Sequence, residues 1–388
     1  MTRTLNLLAL VVFASSLFTR ATDPVIPQIA HGLDVTTATA ALLTTAYSLP
    51  YALVQPVLGG LADVFSKTRL MLLCFVLVTA AAFACGFAPN FNVLMAARVV
   101  AGLASGGVVP ISFALLGDLV PVRQRQVVMG RLLFAIMTGN LLGATFAGII
   151  GDLVGWRGVF LTTAAFGVVV LIAAAAGFRT DERAPGRSDF SQLIPNYVAI
   201  FRNPLAKICF GAVFFEAVFM YGVFPYIASM LHEMGETRAS IAGLVIAGFG
   251  VGGALYAVLV SRLLATLGEV WMMRSGGAIM GFCLLVIGAR FAWPIEFVNF
   301  VLLGFGFFLL HGVIQIYASE LVPAARGSAM ALHSSFYFLG MAAGPIVYGA
   351  GYNSSVGINS VLVVGAVVLS GVGLVCAQWL RRQPQSSA

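Results

Sequence analysis

Apolar residues run through this chain in about twelve long stretches separated by short polar punctuation. A spanning helix needs ~20 apolar residues to cross the hydrocarbon core of a bilayer, and the stretches meet that length. They run 5 to 30, 38 to 61, 69 to 88, 91 to 118, 126 to 150, 157 to 178, 206 to 231, 237 to 265, 269 to 289, 293 to 320, 327 to 351 and 357 to 380. The pattern predicts an all-α polytopic membrane protein of twelve transmembrane helices, with no room for a soluble domain.

Within the stretches one pattern occurs twice. Gly139, Gly143 and Gly148 find counterparts 201 residues on in Gly340, Gly344 and Gly349, while Gly102 and the run Asp118 to Pro121 find theirs 202 residues on in Gly304 and Glu320 to Pro323. A one-residue slip is what a short loop insertion leaves. Internal duplication is a construction rule of secondary transporters, so two pseudo-symmetric six-helix bundles are expected, at 1-178 and 206-388, with function between them. The interval 179-205 is the only long interruption and is expected to be a cytoplasmic linker. Its Phe190, Leu193, Ile194, Tyr197 and Phe201 form an apolar stripe suited to an interfacial helix, with Pro195 set inside it.

Composition agrees. The chain is 60% hydrophobic and 9% charged, against a charged share of about 25% in soluble domains, and its mean hydropathy is +1.00. Sixteen of the 21 Lys and Arg fall on one side when the N-terminus is placed inside, and only Arg157, Arg238 and Arg290 fall outside. Basic residues are retained on the cytoplasmic side, so both termini are expected to be cytoplasmic and the net charge of +7 reflects topology, with no nucleic-acid partner. Cys74, Cys85, Cys209, Cys283 and Cys376 form no C-x-x-C pair and imply neither disulfide nor metal. The first apolar segment is too long for a signal-peptide core and is expected to stay as an uncleaved helix.

Gly59, Gly60, Asp63, Lys67 and Arg69 follow the second span with the spacing of the G-x-L-a-D-r-x-G-r-k loop, with Val64 and Ser66 at two of the usual positions for a basic residue and glycine. In the fourth span the run Arg98, Ala101, Gly102, Ser105 and Gly106 resembles R-x-x-q-G-x-g. Gly130, Gly139, Gly143 and Gly148 match g-x8-G-x3-G-P-x2-G-G in the fifth, with Ala144 and Ala147 replacing Pro and Gly. In these motifs the chain resembles the major facilitator superfamily, and within it the drug/proton antiporter and sugar-efflux branch. The resemblance implies two helix bundles around a central cavity, lined in part by the first and fourth spans and their repeat partners, the seventh and tenth. It implies a conformational loop motif at Gly59, Asp63, Lys67, Arg69 and Asp118, and helix packing at the two glycine ladders, the second of which keeps a proline, Pro345.

Charge inside hydrocarbon is costly, at least ~2.5 to 3.5 kcal/mol for a central arginine on insertion scales, so the few charges there are the candidate chemistry. Arg20 and Asp23 lie three apart on one face of the first span, and Arg98 sits at similar depth in the fourth. Two readings stand: a static gate, or an aspartate that exchanges a proton or an anionic substrate against the arginines. In the second half Glu216 and His311 both lie ~14 to 15 Å from the cytoplasmic ends of their spans, near the midplane. Glu216 is the preferred proton-coupling residue, with Asp23 and His311 beside it; the alternative is a neutral hydrogen-bonded core pair. His333 is expected to be structural. Tyr47, Tyr51, Gln55, Asn140, Tyr221, Gln315 and Tyr337 complete the candidate substrate-binding or gating set, the alternative for the amides being interhelical hydrogen bonds.

The expected function is secondary active transport, not enzymatic chemistry: proton-coupled efflux of a small amphipathic or hydrophobic molecule by alternating access, without cofactor or metal. The alternatives are a symporter or facilitator importing an organic anion, and a lipid flippase on the same fold. The expected setting is a monomer in the lipid bilayer of a bacterial inner membrane, with a proton and a small molecule as its partners.

Overall fold

The computed structural model describes residues 2–64, 66–120, 122–178, 193–355 and 357–380. Side chains of 58–64, 118 and 122–127 also stand outside the description, so the loop motif expected at Gly59, Asp63 and Asp118 lies outside the described residues, as does Phe190 of the linker stripe. The described residues form helices α1 (Thr2–Arg20), α2 (Ile26–Gly32), α3 (Thr37–Val64), α4 (Lys67–Gly86), α5 (Phe91–Leu119), α6 (Val122–Gly177), α7 (Leu193–Arg202), α8 (Pro204–Tyr221), α9 (Phe224–Glu233), α10 (Ala239–Gly288), α11 (Trp293–Ser319), α12 (Arg326–Tyr352) and α13 (Ile358–Trp379). No strand occurs among them.

Nine stretches among the described residues are long and apolar enough to cross a membrane, two of them 50 residues long. At 1.5 Å per residue such a stretch is about 75 Å, more than two hydrocarbon thicknesses. Each is broken at a glycine, Gly155 with φ 74° and Gly268 with φ 73°. A side chain is strained in that region of φ, and glycine is not. The twelve crossings expected from the sequence require each of these stretches to cross twice and the 28-residue α3 to cross as well.

The repeat in the sequence is a repeat in packing. Gly102 lies against the Tyr47 carbonyl of α3, and Gly304 lies in the same relation to the Phe249 carbonyl of α10. Gly139 and Gly143 seat α6 on α1 at Phe13 and Leu17; Gly340 and Gly344 seat α12 on α8 at Phe214 and Gly222. The seventh span, expected to be one helix, is split into α8 and α9. Pro225 opens α9, as Pro24 opens the 3-10 turn Asp23–Val25 after α1, and a proline nitrogen cannot continue the hydrogen-bond ladder of the preceding helix.

Two further expectations change in detail. Ser66, at the motif's usual glycine, accepts a hydrogen bond from the Arg69 backbone N–H at 3.3 Å and caps α4. The linker stripe begins a helix at Leu193, and Pro195 fits because it falls in the first turn, where no intrahelical donor is needed. Tyr197 of α7 donates to the Pro56 carbonyl at 2.7 Å, while Ile194, Val198 and Phe201 are exposed.

The two halves meet along two seams, α3 with α12 and α6 with α10. On the first, Thr45 donates to the Ala342 carbonyl at 2.7 Å, Ser335 donates to the Ala52 carbonyl at 2.8 Å, and Tyr51 stacks on Phe338. On the second, Gly148 meets Ala239 and Gly243 meets Ala144. These α6–α10 contacts lie at the far end of the bundle, opposite the start of α1.

Candidate functional site

The charged group of the first half is built by the interruption after α1. Helix α1 stops at Arg20, and the turn that follows brings Asp23 back beside it. Arg20 Nη1 donates to Asp23 Oδ2 at 3.3 Å, and Thr44 Oγ1 from α3 donates to Asp23 Oδ1 at 3.2 Å. Both carboxylate oxygens are therefore engaged, which a buried charge requires.

Arg98, expected to share Asp23, is used differently. It is fully buried, donates from Nε to the Leu43 carbonyl and from Nη1 to the Phe18 carbonyl, each at 3.4 Å, and lies between the rings of Phe18 and Tyr47 at 4.9 and 4.5 Å. Among the described residues it forms no ion pair with Asp23. Carbonyl contacts and cation–π contacts offset its burial, and its guanidinium ties α1 and α3 to α5. The three charges expected together are thus an Arg20–Asp23 ion pair with Arg98 beside it, held by carbonyls and rings.

In the second half, His311 Nδ1 and Glu216 Oε2 stand 2.7 Å apart, on α11 and α8. Glu216 is 0% exposed and its Oε1 has no hydrogen-bond partner among the described residues. The pair can hold one shared proton: a carboxylic acid donating to the ring nitrogen, or a ring N–H donating to a carboxylate. His311 also stacks on Phe307 at 4.6 Å, with His333 at 5.1 Å and Tyr337 at 5.4 Å. His333, expected to be structural, stands at the edge of this pair, and its Nε2 is buried without a hydrogen bond among the described residues.

The two groups are joined across the seam. The Arg20 guanidinium lies 4.3 Å from the centre of the Tyr221 ring and 4.8 Å from that of Phe224, both in the second half. Tyr221 meets Tyr337 edge to face at 5.4 Å, and Tyr337 meets His311. Asp23, Arg20, Tyr221, Tyr337, His311 and Glu216 therefore form one row through the middle of the molecule.

The other candidates are distributed. Tyr47 and Thr19 hydroxyls are 3.1 Å apart beside Arg98, and Tyr51 stacks on Phe338 at 3.7 Å between the halves. Gln55 donates to the Gly106 carbonyl at 3.2 Å, an interhelical bond between α3 and α5. Asn140 keeps a buried Oδ1 without a partner among the described residues. Gln315 is exposed, one turn beyond His311 on the same face of α11. Lys67 and Arg69 stand at the start of α4, away from the row. No group of three or more His, Cys, Asp and Glu side chains among the described residues is placed to hold a metal ion.

Sequence reasoning missed His333 as a neighbour of His311, although its spacing of four from Tyr337 puts both on one face of α12. It also missed Thr44, the second donor to Asp23, and Asp152, which spans the α6–α10 seam. Neither carried a motif.

Comparison with known proteins adds a family. The family model described as Major Facilitator Superfamily matches residues 8–239 and 209–388. The quinolone resistance protein NorA of Staphylococcus aureus is 25% identical over 365 residues, covering 91% of this chain and 90% of NorA. The uncharacterized MFS-type transporter YtbD of Bacillus subtilis is 25% identical over 393 residues, covering 94% and 95%. Among solved structures, a bacterial homolog of the human lysosomal transporter Spinster, in an inward-facing and unoccupied conformation, aligns with TM-score 0.72 at 18% identity over 97% of this chain and 95% of that one. A D-xylose-proton symporter aligns with TM-score 0.75 at 15% identity over 100% and 98%. At these identities the structures speak for the fold alone.

Proposed function

The chain belongs to the major facilitator superfamily and is a multi-pass membrane transporter, not an enzyme, and on that premise we propose that it is a proton-coupled exporter of a small amphipathic or hydrophobic molecule. The observation that carries the reading is the Glu216–His311 pair: a carboxyl with no exposed surface, 2.7 Å from an imidazole. An ionised carboxylate is costly there and a shared proton relieves the cost, so proton binding and release at this pair change the energy of the centre of the molecule. The similarity to a quinolone resistance protein over nine-tenths of both chains supports the outward direction, since a transporter confers resistance by removing the compound.

In this reading 1-178 and 206-388 are the two moving bundles, joined by the linker 179-205, and the protein works as a monomer. Basic-residue placement supports an orientation with both termini in the cytoplasm of a bacterial cell, which makes the far end the outer face. The proton enters at Glu216 in one state and leaves in the other, and substrate and proton favour opposite states by their different affinities for each. Asp23, held by Arg20 and Thr44, serves as the gate residue of the first half. The arginines expected to draw an organic anion are already engaged, Arg20 by Asp23 and Arg98 by carbonyls, which weighs against anion import.

Net substrate transport in proteoliposomes tests the proposal, using a fluoroquinolone as the first probe with and without a pH gradient. Substrate movement against the direction of proton entry is expected, lost when the gradient is collapsed. Transport unaffected by the gradient rules out coupling, and movement in the same direction as the proton identifies a symporter.

A further inference from the structure

A helix needs partners for its first backbone N–H groups, and the N-cap residue of α10 supplies no side-chain cap. Its N-cap residue, Arg238, makes no side-chain cap bond, and its guanidinium is turned to Glu236, at 2.8 and 2.6 Å. The missing cap comes from the other half of the molecule. Asp152, beyond Gly148 in α6, accepts from the Ala239 N–H at 2.7 Å with Oδ1 and from the Ser240 N–H at 2.9 Å with Oδ2. A carboxylate at that position satisfies two orphan donors and complements the positive end of the helix dipole.

The surrounding seam is built to allow this. A Cβ on Gly148 would stand 2.4 Å from the Ala239 carbonyl oxygen, and one on Gly243 would stand 2.4 Å from the Ala144 carbonyl oxygen, so the backbones of α6 and α10 are in direct contact below the cap. Gln28 from α2 donates to the Gly151 carbonyl at 3.1 Å and fixes the chain beside Asp152.

Among the described residues the repeat-related seam lacks the device. The position 201 residues after Asp152 is Asn353, and the helix start equivalent to α10 is that of α3, where Thr36 Oγ1 accepts from the Thr39 N–H at 3.1 Å. Helix α3 is capped from within its own half, and α10 from across the seam.

We propose that Asp152 is a positioning residue of the transport cycle, capping α10 in trans and thereby holding the far ends of the two halves together in the state closed at that end. Opening the far end must break both bonds and leave the α10 start uncapped, so the cap biases the cycle toward the closed state. The inference rests on alternating access in a two-bundle transporter. It is independent of the direction of transport and of the role of Glu216.

The test is a distance measurement between spin labels at Phe87→Cys and Phe291→Cys, exposed far-end positions in the first and second halves. In full-length protein in nanodiscs, Asp152→Ala is expected to raise the ratio of far-open to far-closed populations about fivefold, the worth of one helix N-cap. Asp152→Asn, which keeps one good acceptor, is expected to raise it about twofold. Arg238→Ser added to Asp152→Ala supplies a cap from within the second half, and separates local helix stability from the link between halves. The double variant is expected to regain thermal stability while staying as open as Asp152→Ala. An unchanged distribution in Asp152→Ala overturns the proposal, and so does a double variant that returns to the wild-type distribution. If Asp152→Ala does not fold, Asp152→Asn decides alone, and an unchanged distribution there overturns the proposal equally.

Discussion

The guanidinium of Arg20, in the first half, rests 4.3 Å from the centre of the Tyr221 ring in the second while its Nη1 holds Asp23. One side chain thus serves an ion pair within its own bundle and an aromatic face across the seam. A desolvated cation–π contact is worth about 2 kcal/mol, and it can be made only when the halves are this close. Tyr221→Phe keeps the ring face and is expected to leave the far-open fraction unchanged. Tyr221→Leu removes it and is expected to raise that fraction roughly tenfold or more. The same spin-label distances check both, and equal behaviour of Phe and Leu would show that the ring is only filling space.

Glu216 and His311 are the sharpest point of the coupling proposal. Glu216→Gln keeps the shape and a hydrogen bond to the 2.7 Å partner but cannot release a proton. Counterflow without a pH gradient is expected to stay within a few-fold of wild type, while gradient-driven transport falls at least tenfold. Unchanged gradient-driven transport would take Glu216 out of the coupling role. His311→Gln is expected to retain part of the coupling, because the carboxyl remains and only its proton partner changes.

Arg98 leads to a different kind of expectation, one of stability. Its two carbonyl contacts, at Leu43 and Phe18, lie on different helices and are reached from two nitrogens of one planar group. A lysine ammonium is a single point donor on a flexible stem and cannot reproduce that fork. Arg98→Lys is expected to cost about 1–3 kcal/mol, since a buried charge then loses a hydrogen bond, read as a lowered thermal midpoint in detergent. A midpoint equal to wild type would mean that the carbonyl contacts contribute nothing.

What could be read in the sequence was what depends on position along one chain segment. The glycine ladders are a property of helical pitch, and the structure keeps them as helix contacts; Arg20 and Asp23 do pair, but across the turn after α1 and not on one helix face, and Glu216 meets His311. What could not be read was partner choice between helices. Arg98 had a carboxylate to expect and found carbonyls and rings, because its rotamer is decided by how α1, α3 and α5 pack. Arg20 reaching Tyr221 and Asp152 reaching α10 both depend on how close the bundles stand, and no local pattern encodes that distance. The break between α8 and α9 was legible in retrospect, since Pro225 opens α9 much as Pro24 opens the turn after α1.

The glycines themselves separate into two kinds that a motif does not distinguish. A Cβ on Gly102 would stand 2.0 Å from the Tyr47 carbonyl oxygen, which is backbone and cannot turn aside. Gly102→Ala must push α5 off α3, and overpacking of this sort costs about 1–3 kcal/mol. Gly304 stands in the same relation to Phe249, so Gly304→Ala is expected to behave alike in the second half. Gly130 belongs to the longer glycine motif but has nothing within 4 Å of the added carbon. Gly130→Ala is therefore expected to be neutral or to stabilise α6 by about 0.5–1 kcal/mol through helix propensity. Thermal midpoints of the three variants in one detergent check the distinction: Gly102→Ala and Gly304→Ala should fall and Gly130→Ala should not. A fall in all three would mean that the motif's glycines are needed for motion or for contacts formed in another state, since contacts in this state account only for the first two.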